Sequence, residues 1–291
     1  MRRSRLLIGI VMAVLGLMSY YGYRQVNPVT GESQHITLTQ EQEVALGLQS
    51  APRMAEEFGG LDPDPEMQAE VAGAGQRVVS RSVAGKTPYK FRFRVLADAQ
   101  TVNAFALPGG PIFITRALLN RLKNEAQLSG VLGHEVGHVV GRHSAEHIAK
   151  SQLAQTLVGA VGVATSDNEG GGQQGAYLAA FVAQMAQLKY GREDELQADS
   201  LGVDLMSEAG YDPRALISVM EILARSSGGT GQPEFLSSHP DPGNRQERIR
   251  EVIANRFPNG VPDSLSLGRE ITLTAGAEAS PPRPSPSTAR R

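Results

Sequence analysis

The chain has 291 residues, of which 41% are hydrophobic and 20% charged, with a formal net charge of −2; this is the make-up of a globular protein with a sizeable core. Acidic and basic residues are interspersed, so there is no electrostatic footprint for nucleic acid apart from short basic clusters at the termini. The absence of cysteine excludes disulfides, thiolate metal sites, cysteine nucleophiles and a lipid-anchoring cysteine, so any metal must be held by His, Asp or Glu.

In chain order, MRRSRLLIGIVMAVLGLMSYYGYR opens with three arginines and continues as an uncharged run from Leu6 to Tyr23. That run is at the short end of what spans a bilayer. The basic flank favours a cytoplasmic N-terminus, with Tyr20, Tyr21 and Tyr23 at the far interface. No A-x-A-like cleavage site follows, so residues 1–23 are expected to be an uncleaved signal anchor, a transmembrane helix that exports the rest of the chain. Residues 24–38, including VNPVTGESQH, read as a polar linker.

Two helices are predicted near Thr39–Phe58, opened by Thr39 and Gln42 in capping-box spacing, and near Asp64–Val83. From Tyr89 to Leu96 the pattern alternates, with Phe91, Phe93 and Val95 on one face and Lys90, Arg92 and Arg94 on the other, as in a half-buried strand. TVNAFALPGGPIFITRALLN reads as two short strands joined at Pro108-Gly109-Gly110-Pro111, which together predicts a small antiparallel sheet. Asn124 and Gln127 then start a helix that is expected to run to at least Arg142.

Apolar pieces at Gln152–Ala164 and Ala176–Leu188 flank the polar SDNEGGGQQG. Each is shorter than a bilayer crossing and reads as a buried helix, or one touching a membrane surface. Further helices are expected over Arg192–Ala209, Pro213–Arg225 and Gly243–Asn255, and the Pro/Ser-rich residues 275–291 as a disordered tail.

The chemistry is concentrated in VLGHEVGHVV. At i and i+4 on a helix, His134 and His138 share a face and can present ring nitrogens to one ion. Glu135 sits about 100° round the helix, beside such an ion, where it can act as a base on water. Gly133, Gly137 and Gly141 recur at i+4 in the same helix, each at a cost of ~1 kcal/mol relative to Ala. They form a smooth strip suited to close approach of another backbone.

Catalytic zinc usually takes three protein ligands. In GREDELQADSLGVDLM, Glu195 and Asp199 form an acidic i, i+4 pair among apolar residues, where a buried carboxylate needs a cation or donors. Glu195 as third ligand, and Asp199 accepting a ligand histidine's free N–H, would satisfy both. A solvated acidic face is the alternative.

HEVGH followed by E-L-Q-A-D resembles the HtpX and CAAX-prenyl-endopeptidase family of zinc metallopeptidases, with its H-E-x-x-H and E-x-x-A-D signature. NAFALPGG, GRHSAEH and SSHP are similar to its exported, BepA-like bacterial branch, and the likeness covers Thr39 to Ile253. The resemblance implies an α+β, mainly helical gluzincin fold over residues 39–258, with the active-site helix beneath an edge strand that holds substrate extended. That edge is one of the strands within Val102–Thr115.

It further implies one Zn2+ per chain on His134, His138 and Glu195, Glu135 as general base, and Asp199 beside them. His239 and Arg245, in LSSHPDPGNR, fall by resemblance near the metal, where the histidine caps the open position or stabilises a tetrahedral intermediate; a surface loop and helix start is the alternative. The substrate class is misfolded or unassembled envelope proteins, with the catalytic domain in the periplasm at the inner membrane, or secreted if the signal is cleaved.

His143 and His147 repeat the i, i+4 spacing and read as a polar helix end rather than a second metal site, with Arg142 pairing an acidic neighbour such as Glu146. The donor set also suits manganese, iron or cobalt. A non-cleaving, metal-stabilised chaperone or adaptor for extended segments is the competing function. Glu135 argues against it, since a scaffold needs no base. The sequence sets no oligomeric state.

Overall fold

The computed structural model describes residues 2–165, 181, 183–185, 188–226, 234–240 and 243–271. The apolar piece after Ala176 falls mostly outside these residues, as do SDNEGGGQQG and the tail. An N-terminal helix α1 (Arg2–Gly22) leads into strands β1 (Arg24–Val26) and β2 (Ser33–His35), then helices α2 (Gln40–Glu57) and α3 (Pro65–Ser80). Strands β3 (Arg92–Leu96), β4 (Ala104–Ala106) and β5 (Pro111–Thr115) follow, then α4 (Arg116–Leu119), α5 (Glu125–Val140) and α6 (His143–Thr165). The remaining helices are α7 (Arg192–Glu208), α8 (Arg214–Ser226), α9 (Glu234–Ser238) and α10 (Arg245–Arg256).

Local signals account for the helix starts. Thr39 and Gln42 close the reciprocal capping box of α2. Asp64 caps α3 ahead of a proline at its first position, and the Asn124 side chain accepts the Gln127 amide at the head of α5. Helix α5 is buried along its entire length, as a helix apolar on every side must be. It is packed among α3, α7, α8 and β4 in one apolar core that includes Val71, Val78, Leu128, Leu132, Val136, Val203 and Leu216.

The three-stranded sheet has the order β3-β5-β4 and is mixed, not purely antiparallel. The Pro108–Pro111 turn makes the expected antiparallel hairpin, in register Ala104↔Ile114. The chain between β3 and β4, however, carries β4 to the far side of β5, so β3 pairs with β5 in parallel, Phe93 opposite Ile112. Helix α2 seats on the turn: a Cβ at Gly47 would stand 1.9 Å from the Pro108 carbonyl oxygen.

The expected linker is ordered. Residues 24–35 form an antiparallel hairpin in which buried Asn27 and Gln34 donate to the carbonyls of Val140 and Gly141. Residues past 258 stay in contact with the core: the Glu125 and Ala126 amides donate to the carbonyls of Arg269 and Leu267, and Ile271 N donates to Lys123 O. These last residues satisfy orphan groups at the head of α5.

The active-site helix is also shorter than expected. It stops at Val140, Gly141 caps it, and Arg142 takes a left-handed φ of 60° before α6 begins. Arg142 does not pair with Glu146. Its guanidinium turns to buried Glu43 of α2, with Nε to Oε1 at 2.9 Å, and donates to Gln25 and to the Leu38 carbonyl; Glu146 instead meets Lys150.

Candidate active site

Helices α5 and α7 approach backbone to backbone. A Cβ at Gly137 would lie 2.9 Å from Ala198 O, and one at Gly202 would lie 3.2 Å from His134 N. Gly133 and Gly137 thus form the smooth strip, whereas Gly141 faces the His143 ring. The close crossing brings Glu195 and Asp199 of α7 against His134 and His138 of α5, and the short helix α9 delivers His239 from the other side.

One ligand atom from each of His134, His138, Glu195 and His239 lies within 4.8 Å of the others, and all four residues are buried. The Nε2 atoms of His134 and His138 face each other at 3.0 Å. Glu195 Oε1 is 3.5 Å from His138 Nε2 and 2.9 Å from His239 Nδ1, while Oε2 is 3.6 Å from His134 Nε2. Glu135 stands beside the cluster, 3.6 Å from His239 Nε2, with both carboxylate oxygens buried and without a hydrogen-bond partner. His239 Nε2 is likewise buried without a hydrogen-bond partner, and Glu195 Oε2 makes no hydrogen bond although the Arg245 guanidinium lies beside it. Such orphaned atoms turned toward one point are what a bound cation and a solvent molecule would satisfy.

The outward ring nitrogens are held. His134 Nδ1 lies 3.0 Å from Asp199 Oδ1, and Asp199 is gripped by Arg245 through Nε to Oδ2 at 2.6 Å and Nη2 to Oδ1 at 2.8 Å. Arg245 is itself buried, and its Nη1 comes within 3.1 Å of Glu195 Oε2. His138 Nδ1 lies 2.8 Å from His143 Nδ1, and His143 Nε2 lies 2.8 Å from Gln197 Oε1. His143 is therefore no solvated helix end, and His147 turns instead to Asp194 at 2.9 Å. Tyr190 stacks on His138 with ring centroids 3.9 Å apart, its hydroxyl bonded to Ser144. No local pattern in the sequence marks His143, Gln197 and Tyr190 as supports of the site, and the left-handed turn at Arg142 breaks the helical spacing between His138 and His143.

Burial pushes Glu135 above the ordinary carboxylate range, against the pull of His239 and His134. Burial acts the same way on Glu195. There the His239 charge and hydrogen bonds from His138 and His239 outweigh it, and the group is held well below its usual value. Burial drives His138 well below the ordinary imidazole range, so its ring is neutral at neutral pH and its nitrogen is available to a metal.

Two imidazoles and a carboxylate on crossing helices, with a free carboxylate beside them, define a metallopeptidase of the zincin type. The chain belongs to peptidase family M48, whose description matches residues 65–253. Zinc is the cofactor that this membership and the donor set specify.

Among its relatives is the beta-barrel assembly-enhancing protease of Yersinia pestis, 30% identical over 266 residues that make up 90% of this chain and 54% of the relative. The corresponding protein of Escherichia coli K12 is 31% identical over 248 residues, 81% of this chain and 49% of the relative. The mitochondrial metalloendopeptidase OMA1 of Schizosaccharomyces pombe is 34% identical over 180 residues, 61% of this chain and 51% of the relative. The chain thus spans about half the length of these curated relatives.

Proposed function

We propose that this chain is a membrane-anchored zinc endopeptidase that cuts misfolded or unassembled proteins of the bacterial envelope. The observation that carries the reading is the convergence of His134, His138 and Glu195 beside a buried carboxylate, Glu135, whose oxygens accept no hydrogen bond. The names of the bacterial relatives, proteases that enhance β-barrel assembly, support the substrate class. Among the described residues one helix, Ser4–Gly22, is long and apolar enough to cross a membrane, which supports the anchor.

In this reading His134, His138 and Glu195 hold the metal. Bound zinc supplies a Lewis acid that polarises a carbonyl and lowers the pKa of water toward ~7. Glu135, raised by burial and free of other partners, takes a proton from water and passes it to the leaving amine. Asp199 and His143 accept the outward N–H groups of the two imidazoles and fix their tautomers, and Arg245 holds Asp199. His239 stands at the fourth corner of the donor set and has to yield that place to substrate. An extended peptide pairs with β4, the edge strand nearest α5, whose outer side joins no other strand among the described residues.

The test is cleavage of casein or of an unfolded outer-membrane protein by full-length protein. Glu135→Gln is expected to reduce turnover ~10²- to 10⁴-fold with zinc content unchanged. A wild type that binds these proteins and never cleaves them would instead establish the chaperone or adaptor function.

A further inference from the structure

The N-terminal helix does not stand alone. Helix α1 exposes Leu6, Leu7, Ile10, Val14, Leu15 and Met18, and among the described residues it packs along its length against α6, with Tyr20 stacked on His35 at its C-terminal end. A Cβ on Gly16 would meet Thr156 Cγ2 at 2.8 Å and Leu153 Cδ1 at 3.8 Å, so the two helices touch at a small residue, as membrane helices do.

The hairpin that follows α1 is fastened to the turn just before α6 through Asn27 and Gln34, Gln34 also donates to Glu146 in the first turn of α6, and Thr37 donates to Gln152. The C-terminal end of α1 therefore lies at the N-terminal end of α6, and the helices run antiparallel. With ~1.5 Å of rise per residue in each, the register set at Gly16 brings Lys150 beside about Tyr21 and Thr165 beside about Leu6.

Those positions are chemical boundaries. Lys150 is the last charged residue of α6, and Ser151–Thr165 carries no charge; Leu6 and Tyr21 bracket most of the uncharged run of α1. Two uncharged segments, one ahead of the HEVGH motif and one shortly after it, thus lie side by side over the same depth. On α6, Ala154 and Val158 are exposed among the described residues, Val158 at 73%. The Thr156 hydroxyl is satisfied by the carbonyl of Gln152 within the helix, as a polar group in hydrocarbon requires.

We propose that Ser151–Thr165 of α6 is embedded in the bilayer beside α1, with lipid acyl chains covering its outward face. The inference rests on reading α1 as an anchor. The segment is ~22 Å long, so it enters the ~30 Å hydrocarbon layer without crossing it unaided. The charged first turns, with the Glu146–Lys150 pair, lie at the surface. His143, which touches the proposed zinc ligand His138, then stands only ~12 Å along the helix from the membrane boundary. The peptidase centre is held at the bilayer surface, where it meets chains that are entering or leaving the membrane.

The natural chain has no cysteine, so single cysteines in the full-length protein can carry a bimane fluorophore in vesicles of lipids brominated at mid-chain. Val158→Cys is expected to lose most of its emission to the bromines, as Val11→Cys on α1 does, while Glu251→Cys on α10 keeps its own. Ala154→Cys, one turn away on the same face, repeats the measurement should the first variant not fold. Emission retained at positions 158 and 154 while position 11 is quenched would overturn the proposal and leave the anchor standing. Emission retained at all of them would remove the anchor and the proposal together.

Discussion

The Nδ1 atom of His143 lies 2.8 Å from that of His138, on the side of the His138 ring turned away from the metal donors. In the proposed site Nε2 of His138 faces the cation, which would leave its proton on Nδ1 to be donated to His143, and the Nε2–H of His143 to be donated to Gln197 Oε1. His143→Ala is expected to weaken zinc binding ~10- to 100-fold in competition with a chromophoric chelator. His143→Gln, which can present an acceptor oxygen, is expected to recover part of the loss. His147→Ala, which removes the contact with Asp194 and an edge-on contact with Tyr190 but touches neither imidazole of the HEVGH motif, is expected to leave zinc affinity unchanged. Equal affinity for wild type and His143→Ala would show that His143 merely fills space.

The crossing of α5 and α7 tolerates no side chain at Gly137, where a Cβ would lie 2.9 Å from the Ala198 carbonyl oxygen and 3.2 Å from its Cα. Gly137→Ala is expected to destabilise the fold by ~1–3 kcal/mol through overpacking and to weaken zinc binding as well, because the helices it separates carry the ligands. Gly73→Ala on α3, where a Cβ meets nothing within 4 Å, is expected to stabilise by ~0.4–1 kcal/mol. Denaturant titration of the two variants checks the opposite signs.

Arg142 and Glu43 are a buried pair joining α2 to the turn between α5 and α6. Burial raises Glu43 above the usual carboxylate range despite the guanidinium beside it, so a partner is needed to keep it charged. Arg142→Ala is expected to cost ~3–5 kcal/mol by leaving that charge uncompensated. Arg142→Ala combined with Glu43→Gln should cost less than the sum of the two single variants. Additivity in this double-mutant cycle would contradict the pairing.

Stability should also report the Asp62–Arg116 pair. Burial works to raise Asp62, but hydrogen bonds from Arg116 and the Asp64 amide outweigh it and hold the group below its ordinary value. A carboxyl depressed by folding stabilises the native state above its unfolded pKa of ~3.9 and loses that contribution as pH falls through the lower, folded value. Asp62→Asn is therefore expected to destabilise at neutral pH and to flatten the stability curve below about pH 4. A curve for the variant parallel to wild type across the acid range would rule this out.

Legibility in the sequence followed the range of the interaction. The caps at Thr39, Asp64 and Asn124 act within one helical turn and could be read directly. The i, i+4 pairs on α5 and α7 are equally local, although only the tertiary crossing brings their donors within 4.8 Å of one another. The parallel pairing of β3 with β5 depends on which side of β5 the intervening chain passes, and no local pattern encodes that. The hairpin at residues 24–35 looked like a linker because its buried polar residues, Asn27 and Gln34, are satisfied by carbonyls more than a hundred positions away. His143 looked solvated for the same reason, since its partners lie on the far side of a left-handed turn and on another helix.

Helix α5 is fastened at its head by residues 267–271 and at its foot by the hairpin at residues 24–35. The clamp on this helix is therefore complete only when residues 24–35 and residues 267–271 are both in place, and cutting away either segment strips hydrogen bonds from one end of the helix that carries His134 and His138.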